Sequence, residues 1–309
     1  MNVSICITTY NHEKYIMECL ESIFAQEFSG TYEIIIGNDN SSDGTEKIIH
    51  SLIENHSKGK TIRSFKNVPN LGYVKNTLFT FSQARGKYIA ILDGDDKWID
   101  NKKIQKQFDF LEQNKDFSAV GTDSLVVYED LPLPNEKFTS HGGRILEKEH
   151  LTDTKIMQTS TFFFRKDILK GDFPTDIISA DRCLYLLAGC FGKVKVVEEQ
   201  TAVYRQFSGS ISKNVTSEVM KKDFRIIPFI KKYGEGYSIF RLKGYFYYTL
   251  MSYSTVINKF EFFKAAAGYL INTIFAKFTL KPLKMYSVLK WTGFTIKQKY
   301  QAKKEKGIL

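Results

Sequence analysis

Ile89-Ala90-Ile91-Leu92 is an apolar run of strand length that stops in Asp93-Gly94-Asp95-Asp96, three carboxylates within four residues. A buried strand that ends this way delivers acid groups to the rim of a sheet, where open α/β folds bind ligands. Carboxylates packed this closely repel one another and are best accommodated around a hard divalent cation that also meets phosphate oxygens. The run therefore constrains fold and chemistry together: a parallel sheet with a metal-assisted diphosphate handler at its carboxyl edge. Taken alone, an Asp-rich surface turn explains the same four residues.

The flanking pattern supports the sheet. Val3 to Thr8 is β-rich and apolar, and Ile16, Leu20, Ile23 and Phe24 follow at helical spacing. Tyr32 to Gly37 is a second short apolar strand, ending in Asn38-Asp39-Asn40-Ser41-Ser42-Asp43-Gly44-Thr45, a loop of turn and capping residues. A helix through Ile48, Ile49 and Leu52 comes next. Thr61 to Phe65 predicts a third strand, Thr77 to Ala84 lies in a third helix, and Tyr88 to Leu92 is the fourth strand. Such alternation predicts a mainly parallel sheet with right-handed crossovers, so the loops at Asp39 and Asp93 open on one edge. Further on, Ala119 to Tyr128 and Ser160 to Phe164 read as strands, and Ile178 to Ala188 as a helix with Asp181 in its first turn.

The 309 residues, 43% hydrophobic, suffice for one large domain or a domain with an appendage. Met1 to Thr9 has no secretory pattern and reads as the first strand. Cys6, Cys19, Cys183 and Cys190 form no CxxC pair, which points to buried thiols in a reducing cytosol. The net charge of +10 is uneven: residues 213–309 hold 19 Lys plus Arg against 5 Asp plus Glu, or +14, leaving −4 for residues 1–212. The expected organisation is a catalytic domain over 1–212 and a basic, aromatic-rich helical extension over 213–309. Tyr245, Phe246, Tyr247, Tyr248, Phe260, Phe262, Phe263 and Trp291 alternate there with lysines. The longest uncharged runs, Gly244 to Asn258 and Ala265 to Ala276, fall short of the ~20 residues that span a bilayer. The extension reads as helices lying on an anionic membrane surface, with a bundle packed on the domain as the other reading. No motif supports nucleic-acid binding. The expected location is cytoplasmic, peripheral on the inner face of the membrane.

Five features occur together: Val3-Ser4-Ile5-Cys6-Ile7-Thr8-Thr9-Tyr10-Asn11, the Asp39 loop, Asn70, Gly72, Lys75 and Asn76 before Gly86-Lys87-Tyr88-Ile89, the acidic turn, and Ala180-Asp181-Arg182-Cys183-Leu184 followed by Tyr204-Arg205-Gln206-Phe207-Ser208-Gly209-Ser210-Ile211-Ser212. In this order residues 1–212 closely resemble the family 2 glycosyltransferases, which use the nucleotide-sugar-binding GT-A fold. The resemblance implies a Rossmann-like α/β sheet, mainly parallel and flanked by helices. It implies that Asp39 accepts a hydrogen bond from the imide N–H of a uracil or thymine, where the bland reading is a cap for the helix near Thr45. Thr8, Tyr10, Lys75 and Gly94 would lie around the nucleotide sugar. Asp93 and Asp95 would be the family's metal-holding pair for Mn²⁺ or Mg²⁺, with Asp96 supporting the turn. Asp181 falls at the family's catalytic base, where the bland reading is a helix N-terminal carboxylate facing free backbone donors. A direct attack on the anomeric carbon would then invert it. Three positions depart from the family pattern: Asn38, Ala180 and Phe207, the last where many relatives carry a histidine.

The implied activity is transfer of a hexosyl or N-acetylhexosaminyl group from a nucleotide sugar, first of all a UDP-sugar, to a hydroxyl of a glycan. A lipid-linked oligosaccharide or cell-surface polysaccharide is the expected acceptor. A nucleotidyltransferase making the activated sugar is an alternative, but it calls for a glycine-rich basic loop where Thr8-Thr9-Tyr10-Asn11-His12 stands. A non-catalytic module recruited to the membrane is the other alternative. Intact Asp39, Asp93, Asp95 and Asp181 argue against it.

Overall fold

The computed structural model describes residues 1–139, 141–208, 215–234, 236–278 and 285–309, with backbone only at 277, 278, 285–288 and 291. The first half runs β1 (Val3–Thr9), α1 (Ile16–Phe24), β2 (Tyr32–Asn38), α2 (Thr45–Asn55), β3 (Ile62–Lys66), α3 (Tyr73–Gln83), β4 (Tyr88–Asp93), β5 (Lys97–Trp98), α4 (Lys103–Gln113) and β6 (Phe117–Tyr128). The second runs β7 (Glu136–Lys137), β8 (Ile145–Leu146), β9 (Phe163–Arg165), α5 (Ala180–Phe191), β10 (Lys193–Gln206), α6 (Ser217–Lys221), α7 (Ile226–Tyr233), α8 (Ile239–Tyr253), α9 (Lys259–Phe278) and α10 (Met285–Glu305).

One mixed sheet follows the order β3-β2-β1-β4-β9-β6-β10-β5. β3, β2, β1 and β4 are mutually parallel, as the strand-helix alternation predicts. β1 has all seven residues buried, the mark of a central strand covered on both faces. The parallel pattern breaks at β9, which is antiparallel to both β4 and β6 and joins the two parallel blocks. Antiparallel neighbours need no helical crossover, and the chain between β6 and β9 holds only short strands and single helical turns. The predicted strand at Ser160 narrows to Phe163–Arg165, because Thr159–Thr161 winds into a 3₁₀ turn. α4 and the 14-residue β10 were not anticipated. β10 carries Glu198, Glu199 and Gln200 in mid-strand, where its register on β6 shifts, and that polar interruption hides the strand from a periodicity reading.

Two apolar layers cover the sheet. Ile5, Ile7 and Leu92 pack with Ile16, Leu20 and Ile23 of α1. On the other face Cys6, Ile35 and Ile91 meet Val74 and Phe81 of α3 and Leu184 and Leu187 of α5. Ile226, Ile230, Leu242 and Phe246, from α7 and α8, belong to this second layer and are almost fully buried. Each such side chain is worth ~1.5–3 kcal/mol of burial, so α7 and α8 are bound into the same core. A separate cluster around Met251, Ile257, Phe262, Ala265 and Tyr269 holds α9 to α8. The change of composition at 212/213 falls within residues 209–214, outside the described residues. Among the described residues no helix is long and apolar enough to cross a membrane. Cys6, Cys19 and Cys183 are buried and free, and Cys190 is partly covered and free.

Candidate active site

Parallel pairing puts Thr8 opposite Asp93 and Thr9 opposite Asn38, so three strand ends open together on the carboxyl edge. The Thr8 hydroxyl donates to Asp93 Oδ1 at 2.9 Å. At Gly94 the chain turns so close to β1 that a Cβ would lie 2.8 Å from the Thr9 side chain and 2.9 Å from His12 Nδ1. No other residue fits that position. Asp95 is partly exposed, with Oδ2 3.8 Å from His12 Nε2. Thr9 Oγ1 and His12 Nδ1 are buried without a hydrogen-bond partner among the described residues. Nothing in the local sequence marks His12, because a contact across the sheet edge leaves no local signal.

Burial, the neighbouring Asp95 and, more weakly, Asp181 push the Asp93 carboxyl up to about 7, against the pull of the Thr8 hydroxyl. Asp96 points the other way. Its buried carboxylate accepts from Ser160 Oγ at 2.6 Å, Gln158 Nε2 at 2.8 Å and the Arg205 amide at 2.9 Å, so it supports the turn. Arg205 of the late motif braces the same turn, donating to the Asp95 carbonyl at 2.7 Å, Glu18 at 2.7 Å and Glu129 at 3.1 Å. Phe207 stacks on Tyr15 at 5.8 Å. Gly209, Ser210, Ile211 and Ser212 lie outside the described residues.

Asp39 is buried and does not cap α2, whose N-cap is Gly44; Asp43 Oδ1, one residue earlier, accepts from the Thr45 amide at 3.0 Å. Instead the Asp39 carboxylate accepts from the Leu71 amide at 2.8 Å, the Gly72 amide at 2.8 Å and Asn67 Nδ2 at 3.2 Å. Asn70 Nδ2 donates to its carbonyl at 2.6 Å. Gly72, at φ +83°, adopts a conformation that favours glycine just before α3 begins. Asp39 thus anchors the loop that launches α3, and Lys75 stands exposed in the first turn of that helix. Tyr10 is 47% exposed at the rim.

Asp181 sits in the first turn of α5, and Ser179 at the N-cap makes no side-chain capping bond. Among the described residues the Asp181 carboxylate has no hydrogen bond or ion pair. The donors just before the helix are satisfied from elsewhere: Asp223 Oδ1 accepts from the Ile178 amide at 2.8 Å and the Ser179 amide at 3.1 Å, and Oδ2 from Ser179 Oγ at 2.7 Å. Ala180 is buried, so no second carboxylate stands there. Tyrosines gather around Asp181. Burial raises the Tyr73, Tyr185, Tyr245 and Tyr253 hydroxyls above their ordinary range, and the nearby Asp181 charge adds to each. Tyr245 and Tyr253 come from α8. Arg182 lies 4.6 Å over the Tyr245 ring and donates to the carbonyls of Leu151 at 3.1 Å and Asp153 at 2.9 Å.

The family model described as glycosyl transferase family 2 matches residues 4–173. The chain belongs to that family. An uncharacterized protein of Mycobacterium bovis is 29% identical over 68% of this chain and 60% of its own length. An uncharacterized glycosyltransferase of Methanocaldococcus jannaschii is 33% identical over 54% and 52%. The chain therefore spans little more than half the length of these relatives. Among solved structures, Staphylococcus aureus TarS in complex with UDP has a TM-score of 0.67 at 17% identity, covering 99% of this chain and 92% of that one. The mannosyltransferase PcManGT of Pyrobaculum calidifontis, in complex with GDP-Man and Mn²⁺, has a TM-score of 0.62 at 15% identity, covering 98% and 86%. Both likenesses extend through the C-terminal helices and establish the GT-A fold. The family match stops short of Asp181.

The donor set at the acidic turn fits a hard cation. Asp93 and Asp95 would supply carboxylate oxygens, and burial first, then the neighbouring Asp95 charge, raise the Asp93 carboxyl, a cost that a bound cation would relieve. Among the described residues no group of three or more His, Cys, Asp or Glu could hold a metal unaided. An ion such as Mg²⁺ takes one or two carboxylates and completes its shell with water and substrate phosphates.

Proposed function

We propose that this chain is an inverting glycosyltransferase that moves a sugar from a nucleoside diphosphate sugar to a hydroxyl of a glycan acceptor. The observation that carries the reading is the Asp181 carboxylate in the first turn of α5, which has no hydrogen bond or ion pair among the described residues and lies near enough to Asp93 for the two charges to act on each other. A carboxylate without fixed donors is free to accept the proton of an attacking hydroxyl. Asp39 has about four acceptor sites and three are used, so one remains for the imide N–H of a uracil. This favours a UDP-sugar. Thr8 holds Asp93, Gly94 lets the turn close, Tyr10 and Lys75 border the nucleotide, and Asp93 with Asp95 would hold Mn²⁺ or Mg²⁺. When bound, that ion supplies Lewis-acid neutralisation of charge on the leaving diphosphate. Asp181 takes the proton as the acceptor oxygen attacks the anomeric carbon from the opposite face, and the configuration inverts in one displacement.

The acceptor is proposed to be a glycan carried at a membrane surface, a lipid-linked oligosaccharide or a cell-surface polysaccharide. Exposed Phe260, Phe263, Ile271, Phe275 and Phe294 stand on α9 and α10 alongside exposed Lys259, Lys264, Lys290 and Lys297, a composition suited to anionic headgroups. The test is nucleotide release from a panel of UDP-, GDP- and dTDP-sugars with Mn²⁺. Release from one of them, stopped by chelation, supports the reading. Formation of a nucleotide sugar from a sugar phosphate and a nucleoside triphosphate would show a nucleotidyltransferase instead.

A further inference from the structure

Tyr185 is 1% exposed, and its hydroxyl is buried without a hydrogen-bond partner. It lies on α5 four residues after Asp181, on the same helix face, and helical side chains lean toward the N-terminus, over the turn that carries Asp181. The Asp181 charge and, more weakly, that of Asp93 both act on the hydroxyl, so it lies near the acidic turn as well as near its own helix start. The Thr159 side chain stands beside it and pulls the hydroxyl's pKa back down as a hydrogen-bonding neighbour does, but the pair does not meet hydrogen-bond geometry. Tyr73, at the start of α3, is acted on by Asp93, Asp181, Tyr185 and Asp95, which places a second tyrosine at the same meeting point. The Tyr185 ring is held independently of its hydroxyl, edge-on to Phe162 at 4.8 Å and 5.8 Å from the Arg182 guanidinium.

An unpaired buried hydroxyl costs about 1–3 kcal/mol. A phenylalanine would fill the same ring position and avoid that cost. The hydroxyl is explained if its partner arrives from outside, and what comes to rest between a diphosphate-binding turn and a proton acceptor is the sugar in transfer. We infer that Tyr185 is a substrate-contacting residue whose hydroxyl hydrogen-bonds the transferred sugar ring, with Tyr73 bordering the same subsite. The ligand class is a pyranose bearing a hydroxyl, acetamido or ring oxygen within reach. The inference rests on the glycosyltransferase reading and adds a determinant of sugar, as distinct from nucleotide, recognition.

The test uses the full chain, Tyr185→Phe and Mn²⁺. Titration calorimetry with UDP and GDP finds the nucleoside diphosphate that binds, and the matching UDP-GlcNAc or GDP-mannose is then titrated and its hydrolysis followed. Tyr185→Phe is expected to bind the bare nucleotide like wild type, and to bind or turn over the nucleotide sugar about fivefold to tenfold less well, the worth of one hydrogen bond. Its melting temperature is expected to be unchanged or higher, because no hydrogen bond of the folded protein is lost. Two results overturn the assignment. One is equal sugar binding and turnover in both proteins, which means that water or nothing occupies the hydroxyl. The other is a variant that melts several degrees lower or fails to fold, which makes the hydroxyl structural. If the wild type binds neither UDP nor GDP, the glycosyltransferase reading itself falls, and the Tyr185 assignment with it.

Discussion

The nucleotide edge and the region around Asp181 treat their carboxylates in opposite ways. At the edge, Asp39 and Asp96 each accept three hydrogen bonds and Asp93 is held by Thr8, all within the ends of neighbouring strands and the loops between them. Across the site, Asp181 has no such partner among the described residues, and the tyrosines near it come from its own helix, Tyr185, and from two remote segments, Tyr73 on α3 and Tyr245 and Tyr253 on α8. A group that must keep a loop in place is saturated with donors. Asp181, which we propose accepts the acceptor's proton, is left without them, and its position is secured indirectly by Asp223 gripping the residues just before the helix.

The contrast is sharpest in Asp181→Asn. Turnover is expected to fall roughly 10²-fold or more, the usual worth of a positioned base, while nucleotide affinity stays within a few-fold of wild type. Parallel loss of both, measured by calorimetry and nucleotide release, would mean that the two sides of the site are not separable.

Asp93 gives the edge a pH dependence of its own. Its carboxyl titrates at about 7 in the folded chain against an ordinary value of 3.8. The proton is therefore held more tightly in the folded state, and without metal this group contributes stability that is present at low pH and lost as pH rises through about 7. Cation binding needs the ionised form and runs the other way. Mn²⁺-dependent nucleotide affinity is expected to weaken up to about tenfold per pH unit below the pKa, while melting in chelator rises as pH falls from neutral toward the ordinary range. Affinity that is flat across neutral pH would remove Asp93 from the cation site.

Asp223→Ala tests whether the extension holds the acceptor side. The variant leaves the Ile178 and Ser179 donors unpaired, and a loss of about 1–3 kcal/mol is expected. That would appear as a melting transition several degrees lower and a fall in turnover larger than any change in nucleotide affinity. A fall in nucleotide affinity alone would reverse the comparison.

The smallest effect expected is at the far end of the extension. Phe260, 74% exposed, and Phe263, 54% exposed, are proposed to meet headgroups. Their replacement together by serine is expected to reduce sedimentation with anionic vesicles a few-fold and to make what remains more sensitive to salt, as screening contracts from ~30 Å at 0.01 M to ~10 Å at 0.1 M. Nucleotide binding is expected to be untouched. A full-length chain that ignores such vesicles at low salt would leave the extension as packing alone.

Much of this architecture is legible along the chain, and the exceptions have physical causes. β1, β2, β4 and their helices show because burial on both faces makes each of these strands a largely apolar run that ends in polar turn residues. Asp93, Asp95 and Asp39 are visible for the same reason, each being the first polar residues after such a run. β10 is hidden by its mid-strand acids, and β9 by a length of three residues. Asp39 was expected at the nucleobase, but its threefold grip on the loop before α3 depends on Leu71, Gly72 and Asn67 returning to it across the sheet edge. Composition shows the basic extension, yet a count of lysines carries no information about which helix faces meet, and α7 and α8 enter the core of the preceding domain.

The sequence was sufficient for the family, the parallel half of the sheet and the acidic rim, because strand burial and the polar turn that ends it are written in contiguous residues. Folding was needed to bring His12 to Asp95, to fix the residues just before α5 through Asp223, and to leave the Tyr185 hydroxyl buried without a hydrogen-bond partner near Asp181 and Asp93. Those relations join residues far apart in the chain, and what selects them is the mutual burial of helix faces, a property that no local periodicity encodes.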